Sequence, residues 1–213
     1  NIFAYEARAE EGGYVNGVMA ALLSKSGTIG IVGPIEAGDA KLYIDGFKQG
    51  ALASGKIKPD GVKVIYTGSF GDTPKAAESA KTLISQGADV LTGSAQQVPG
   101  AISEIQKVKG YWFGTQTDQA AGWPDTVVAG QVYDWTNVLE DMITKRLEGT
   151  KGGVAYTISL KDGGEKIVFN DKTTIPDDVK KAAADAADKI ESGDIMVVGN
   201  PAMAATMEAT AAK

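Results

Sequence analysis

Phe70 stands in VKVIYTGSFGDTP, residues 62–74, the stretch where residue types and spacing come closest to a chemistry. Alternation of Val62, Val64 and Tyr66 predicts a short buried strand, and Thr67, Gly68 and Ser69 break it. Asp72, Thr73 and Pro74 then supply a helix start with proline in the first turn. A strand that opens through glycine into a helix is where open α/β sheets bind ligands, because backbone donors and helix N-termini converge there. A large aromatic in such a loop either stacks on something flat or folds back as a local core plug, and spacing leaves both open. Two later openings, residues 92–97 and 114–119, present Ser94, Gln96, Gln116 and Asp118 on the same sheet edge. Capping explains Asp72 as well as ligand contact does, and a loop or cap role for Asp118 is as good as binding.

Other chemistry is scarce. The 213 residues hold no histidine and no cysteine, so no Ser-His-Asp or Cys-His triad and no Cys-based zinc site can be assembled. Catalysis would have to rest on carboxylates or lysine; the expectation is a protein that is not an enzyme and needs no cofactor or metal. A dinucleotide-binding enzyme is disfavoured further, since Gly30 and Gly33 lack the third glycine of G-x-G-x-x-G and precede Pro34. Twenty-one Lys and Arg against 27 Asp and Glu give a net charge of −6, and no basic stripe exists to neutralise nucleic-acid phosphates. No apolar run reaches the length of a membrane span, about 18 residues or more. The chain starts at Asn1 with no signal peptide, which suggests a processed or truncated product.

The elements that must position these loops follow from periodicity. Paired apolar residues Tyr14/Val15, Val18/Met19 and Leu22/Leu23 predict a helix ended by Gly27, with Gly17 allowing close packing. Strands are expected at 28–32, 62–66, 88–91, 111–113 and 126–129, with helices at 40–53, 74–86, 99–108, 134–147 and 176–192. Successive strand–loop–helix units imply a parallel, doubly wound sheet with every opening on one edge. Trp112 is expected in the core. Residues 154–160 and 166–169 flank Asp162-Gly163-Gly164, a hairpin signal, and the tail from Pro201 is expected to be loosely ordered.

Four stretches together resemble the basic membrane protein family of substrate-binding lipoproteins, the receptor components of bacterial and archaeal ABC importers. They are residues 10–25 (EEGGYVNGVMAALLSK), 28–50 (TIGIVGPIEAGDAKLYIDGFKQG), 66–89 (YTGSFGDTPKAAESAKTLISQGAD) and 160–164 (LKDGG). The resemblance implies a type I periplasmic-binding-protein fold, two α/β lobes that close on a ligand, with an earlier first-lobe segment missing. Residues 1–26 would then be a first-lobe remnant and 27–132 the second, ligand-binding lobe. Residues 133–153 would be helix and hinge crossover, 154–175 a first-lobe return hairpin, and 176–213 the C-terminal helix and tail.

The family's purine ligands and its GS-aromatic-x-D motif, matched by Gly68-Ser69-Phe70-Gly71-Asp72, imply that Phe70 stacks on a base. Departures bear on what accompanies the base. Residues 94–99 replace a GGTG-like turn, Gln116 stands where nucleoside-binding members carry an aspartate, and Tyr133 replaces a common lysine. The Gln pattern resembles a subgroup suited to adenine-like bases, for which Gln96 and Gln116 are candidate contacts. The expectation is thus a receptor that captures a purine base or nucleoside and presents it to an ABC permease. It would be extracytoplasmic and tied to the membrane only by a lipid anchor on the full-length protein. The alternative is a ligand-sensing regulatory domain of the same fold.

Overall fold

In the computed structural model, residues 1–199 are described; the tail expected to be loose from Pro201 lies outside them. The chain runs β1 (Phe3–Ala7), α1 (Ala9–Leu23), β2 (Ile29–Gly33), α2 (Gly38–Ala53), β3 (Val62–Tyr66), α3 (Thr73–Ser85) and β4 (Val90–Gly93). It continues through α4 (Val98–Lys107), β5 (Tyr111–Gly114), β6 (Val127–Tyr133), α5 (Thr136–Leu147), β7 (Val154–Ile158), β8 (Glu165–Phe169) and α6 (Asp177–Ser192). Six strands form one sheet in the order β3-β2-β4-β5-β6-β8, parallel except for β8. The order turns outward from β2 in both directions, as right-handed crossovers require.

Each face of this sheet is covered by helices. Ile29, Ile31 and Phe113 pack with Val15, Met19, Tyr43, Phe47 and Val179 from α1, α2 and α6. Val32, Leu91 and the fully buried Trp112 pack with Ala76, Leu83, Ile102 and Ile105 from α3 and α4. The near-continuous apolar runs of β2 and β4 reflect this double coverage.

Glycines set how closely α1 and α2 approach. A methyl group on Gly13 or Gly17 would overlap the backbone of α2 at Tyr43 and Phe47, and one on Gly46 or Gly50 would overlap that of α1 at Glu10 and Tyr14. The two helices therefore touch backbone to backbone, at i and i+4 on both. That brings Asn16 within 3.1 Å of the Tyr43 hydroxyl, to which its amide donates.

Two expectations are corrected. Residues 154–160 and 166–169 do not pair with each other: β7 pairs in parallel with β1, Phe3 opposite Val154, and β8 pairs antiparallel with β6. The turn chemistry is present, since Asp162 accepts from Ser159 N at 3.1 Å and Gly164 N at 2.8 Å. Turn residues specify a chain reversal and not the partner of each arm. The first helix starts at Ala9, five residues before Tyr14, and it packs on α2, α6 and the six-stranded sheet; only β1 of residues 1–26 stands apart from that sheet. The apolar side of α5 has no cover among the described residues: it buries nothing, and Leu139, Ile143 and Leu147 are exposed.

Gly17→Ala or Gly46→Ala should lower stability by about 1–3 kcal/mol, because the neighbour that must give way is backbone. Gly71→Ala, where a methyl meets nothing and no left-handed backbone is involved, should be close to neutral. Urea unfolding of the three variants checks this; equal midpoints would remove the backbone-contact argument.

Candidate functional site

The carboxyl ends of β2 to β6 point to one edge, and the loops there are tied to one another. Phe70 follows β3, and its carbonyl accepts from Gln97 N at 2.9 Å, which draws it toward the loop after β4. Gln97 is fully buried; its Oε1 accepts from Thr67 Oγ1 at 2.6 Å and its Nε2 donates to the Ser94 carbonyl at 3.3 Å. One amide thus braces both loops. The Phe70 side chain is 49% exposed, so it is not a core plug.

The other expected residues divide by what already occupies them. Asp72 caps α3, accepting from Lys75 N at 2.9 Å. Ser94 is buried beneath the loop. Gln96 is exposed beside Ala95, whose φ of +71° makes the loop turn sharply. Gln116 is half-buried with φ +72°, and its carbonyl accepts from Tyr133 N at 3.3 Å, tying the end of β5 to β6. Asp118 is exposed and folds onto its own loop, accepting from Ala120 N at 2.8 Å. Phe70, Gln96 and Gln116 are thus side chains on this edge whose tips no protein hydrogen bond occupies among the described residues, whereas Asp72 and Asp118 are partly committed.

Further residues flank them. Trp135 packs edge-on to Tyr133 (6.0 Å between centroids) and to Tyr5 of β1 (5.0 Å), giving the far side of the mouth an aromatic rim. Gln97 carried no signal beyond its type, because its bracing role joins loops 30 residues apart.

Below the mouth lies a buried polar chain. Asn16 donates to Tyr43, and also to the Gly114 carbonyl at 3.0 Å; Tyr43 lies 2.8 Å from Thr92 Oγ1, which donates to the Phe113 carbonyl. Burial pushes the Tyr43 phenol up to about 12. Beside it Thr115 donates to Gln131, which donates to the Ala9 carbonyl and to Glu165 Oε1 at 2.9 Å. Among the described residues Glu165 Oε2 has no hydrogen-bond partner, and burial, with Glu11 and Glu10 adding repulsion, raises its carboxyl to about 9. Burial raises Glu10 and Glu11 too, against the opposing pull of Arg8 at 3.3 and 2.9 Å. A groove of about 270 Å³ at the opposite sheet edge includes Lys25 and Asp89, but Asp89 is spent on Ser24, Lys25 and Ser26.

With this geometry in place, comparison with known proteins decides the family. The family described as ABC transporter substrate-binding protein, PnrA-like (Bmp) matches residues 1–200. The chain belongs to the Bmp family. A purine-binding protein of Brucella abortus (strain 2308) is 34% identical over 197 residues, 92% of this chain and 54% of that protein. Basic membrane protein A of Borreliella afzelii is 30% identical over 207 residues, 94% of this chain and 62% of that protein. The chain therefore spans little more than half the length of these curated relatives. Among solved structures, an ABC transporter solute-binding protein of Aeropyrum pernix K1 superposes with a TM-score of 0.80 at 18% identity, covering 94% of this chain and 67% of that one. A transcriptional activator of the comK gene from Bacillus halodurans gives 0.77 at 20%, covering 91% and 66%. At these identities the likeness is one of fold, and it is the type I periplasmic-binding-protein fold that this Bmp chain was expected to have.

Because Glu165 keeps its proton in the folded state up to about pH 9 and loses it near an ordinary carboxyl pKa when unfolded, stability must fall as pH rises between those values. From about pH 5 to about pH 8, Tm should drop, and Glu165→Gln should shrink that drop; Glu10 and Glu11, shifted the same way, leave a residual slope. Thermal melts at both pH values check this, and equal drops in wild type and variant would overturn it.

Proposed function

We propose that the protein is the ligand-capturing receptor of an ABC importer and that it takes a purine base or nucleoside at the carboxyl edge of the six-stranded sheet. The observation that carries this reading is the half-exposed Phe70 ring, held by a braced pair of loops at the edge where the sheet's openings converge. An aromatic face suits a flat heterocycle, and stacking contributes roughly 1–3 kcal/mol per base. Gln96 and Gln116 supply uncharged amides whose donor and acceptor pairs suit a base edge. The Brucella relative, by its name a purine-binding protein, supports the same ligand class. Capture works by hinge closure: ligand stabilises the closed form to the extent that it binds it better, and nothing is chemically transformed. The captured solute passes to a membrane permease, with the receptor outside the cytoplasm and lipid-anchored in its full-length form.

The comK activator shares the fold, so a ligand-sensing regulatory domain is the second reading. Coding sequence upstream of Asn1 separates the two: a lipoprotein signal peptide supports the receptor, a helix-turn-helix the sensor. In the full-length protein, calorimetric titration with adenine, adenosine, guanosine and inosine should show saturable binding of at least one. Phe70→Ala should weaken it by more than about tenfold. Unchanged affinity in the variant would remove the stacking role.

A further inference from the structure

Gln97 occupies the cap position of α4 yet gives its own helix no side-chain bond. The residues that favour such a position accept from an early helical N–H through a short side chain. Gln97 instead sends its amide, fully buried, into the loops on either side. Its Oε1 takes the Thr67 hydroxyl at 2.6 Å, its Nε2 donates to the Ser94 carbonyl at 3.3 Å, and its backbone N–H donates to the Phe70 carbonyl at 2.9 Å. An apolar side chain of similar size would fill the same space without any polar group to satisfy. What the amide alone supplies is the tie between the loops.

The loop that carries Phe70 is fixed at its entrance and its exit by other contacts. Thr67 N and Gly68 N donate to the Gly33 and Pro34 carbonyls at 2.9 and 2.8 Å, and a methyl group on Gly100 of α4 would overlap the Thr73 carbonyl. Between these points the turn is bonded to itself. Ser69 N donates to Thr67 Oγ1 at 3.2 Å, and Ser69 Oγ accepts from Gly71 N and Asp72 N, each at 3.2 Å. Among the described residues its hydrogen bonds to the loop after β4 both end on Gln97, one from the Thr67 hydroxyl and one at the Phe70 carbonyl. Glycines stand on both sides of the ring, and a methyl group on Gly68 or Gly71 would meet nothing, so packing does not confine the turn there. No aromatic ring among the described residues pairs with that of Phe70. The ring therefore takes its place from the backbone beneath it.

We propose that Gln97 is a positioning residue for ligand capture: its buried amide and its backbone N–H hold the turn over residues 69–72 so that the Phe70 ring already stands where a flat ligand stacks. This rests on the stacking reading above and adds to it what makes the ring effective. An exposed ring on a loosely held, glycine-flanked turn has to be ordered when ligand arrives, and that entropy is subtracted from binding. Ordering about one backbone residue weakens affinity about 5- to 30-fold. Gln97 removes that cost without touching the ligand.

The test is a double-mutant cycle in the full-length protein, read by calorimetric titration with adenine, adenosine, guanosine and inosine. Gln97→Met keeps the length of the side chain and removes the amide. Gln97→Asn keeps the amide but shortens its reach, and asparagine is a favoured cap, so α4 keeps its start. Each should weaken the tightest-binding of the four compounds about 5- to 30-fold. In the Phe70→Ala background the same substitutions should change affinity by less than about twofold, because the ring they position is gone. Without ligand, hydrogen exchange should speed up at the Gly71 and Asp72 amides and stay unchanged in β4. The inference is overturned if both Gln97 variants bind as wild type does, if the loss is as large without the ring as with it, or if exchange in the turn does not change. Should Gln97→Met fail to fold, Gln97→Asn decides the matter. Unchanged affinity in Phe70→Ala, or no saturable binding of any of the four compounds by wild type, removes the stacking reading and this inference with it. Binding that depends on Phe70 but is indifferent to Gln97 removes this inference alone.

Discussion

Backbone contact between α1 and α2 is the constraint on which the remaining structure depends. Four glycines in two i, i+4 pairs let the helices meet without side chains between them. Only at that separation can Asn16 reach both the Tyr43 hydroxyl and the Gly114 carbonyl, and only then does Tyr43 reach Thr92. The result is a directional chain of donors, from amide to phenol to threonine to the Phe113 carbonyl, that joins two helices to two strands. In a buried setting each bond polarises the next, and losing one member strands the others without water. The chain therefore works as a gauge, setting how far α2 projects past the sheet and with it where the edge loops stand.

The acidic network beneath the mouth is stabilised differently. Glu10, Glu11 and Glu165 all lie in low dielectric, and one arginine opposes them. Glu165 is tolerated because it carries a proton, not because it is paired. A neutral acid there lets Gln131 donate to the same oxygen as to any carbonyl, and Gln131 in turn fixes Thr115 at the end of β5. The connection also reaches outward: Arg8 N donates to the Ile158 carbonyl and Leu160 N to Glu11 Oε2, so the β1–β7 pair is attached to the main body through the start of α1.

Much of this was legible in residue order. The alternation from Ile29 onward read as strand, loop and helix in turn, and the parallel sheet with its shared edge followed from that repetition alone. Phe70 was legible as unusual, since a large aromatic beside two glycines needs a reason. The hairpin was misread because Asp162, Gly163 and Gly164 do form a turn; what decides pairing is a strand 151 residues away in β1 and another in β6, and no local pattern encodes either. Burial of Glu10 and Glu11 carries no local signal, because it depends on Leu160 and its strand arriving from elsewhere.

Charge bears on what the proposed site suits. The candidate side chains are Phe70, Gln96 and Gln116, with Asp72 and Asp118 as the charged members, and none is a cation. An anionic group such as a phosphate would find no counter-charge among these side chains. The usual remedy in an α/β sheet, a bare helix N-terminus, is already taken at α3 by Asp72. At α4 Gln97 occupies the cap position without a side-chain cap bond and Pro99 removes one of the first-turn donors, and α2 likewise starts with no side-chain cap. On the purine reading proposed above, an uncharged ring with N–H donors gives the amides a partner without needing a counter-charge that the candidate side chains lack.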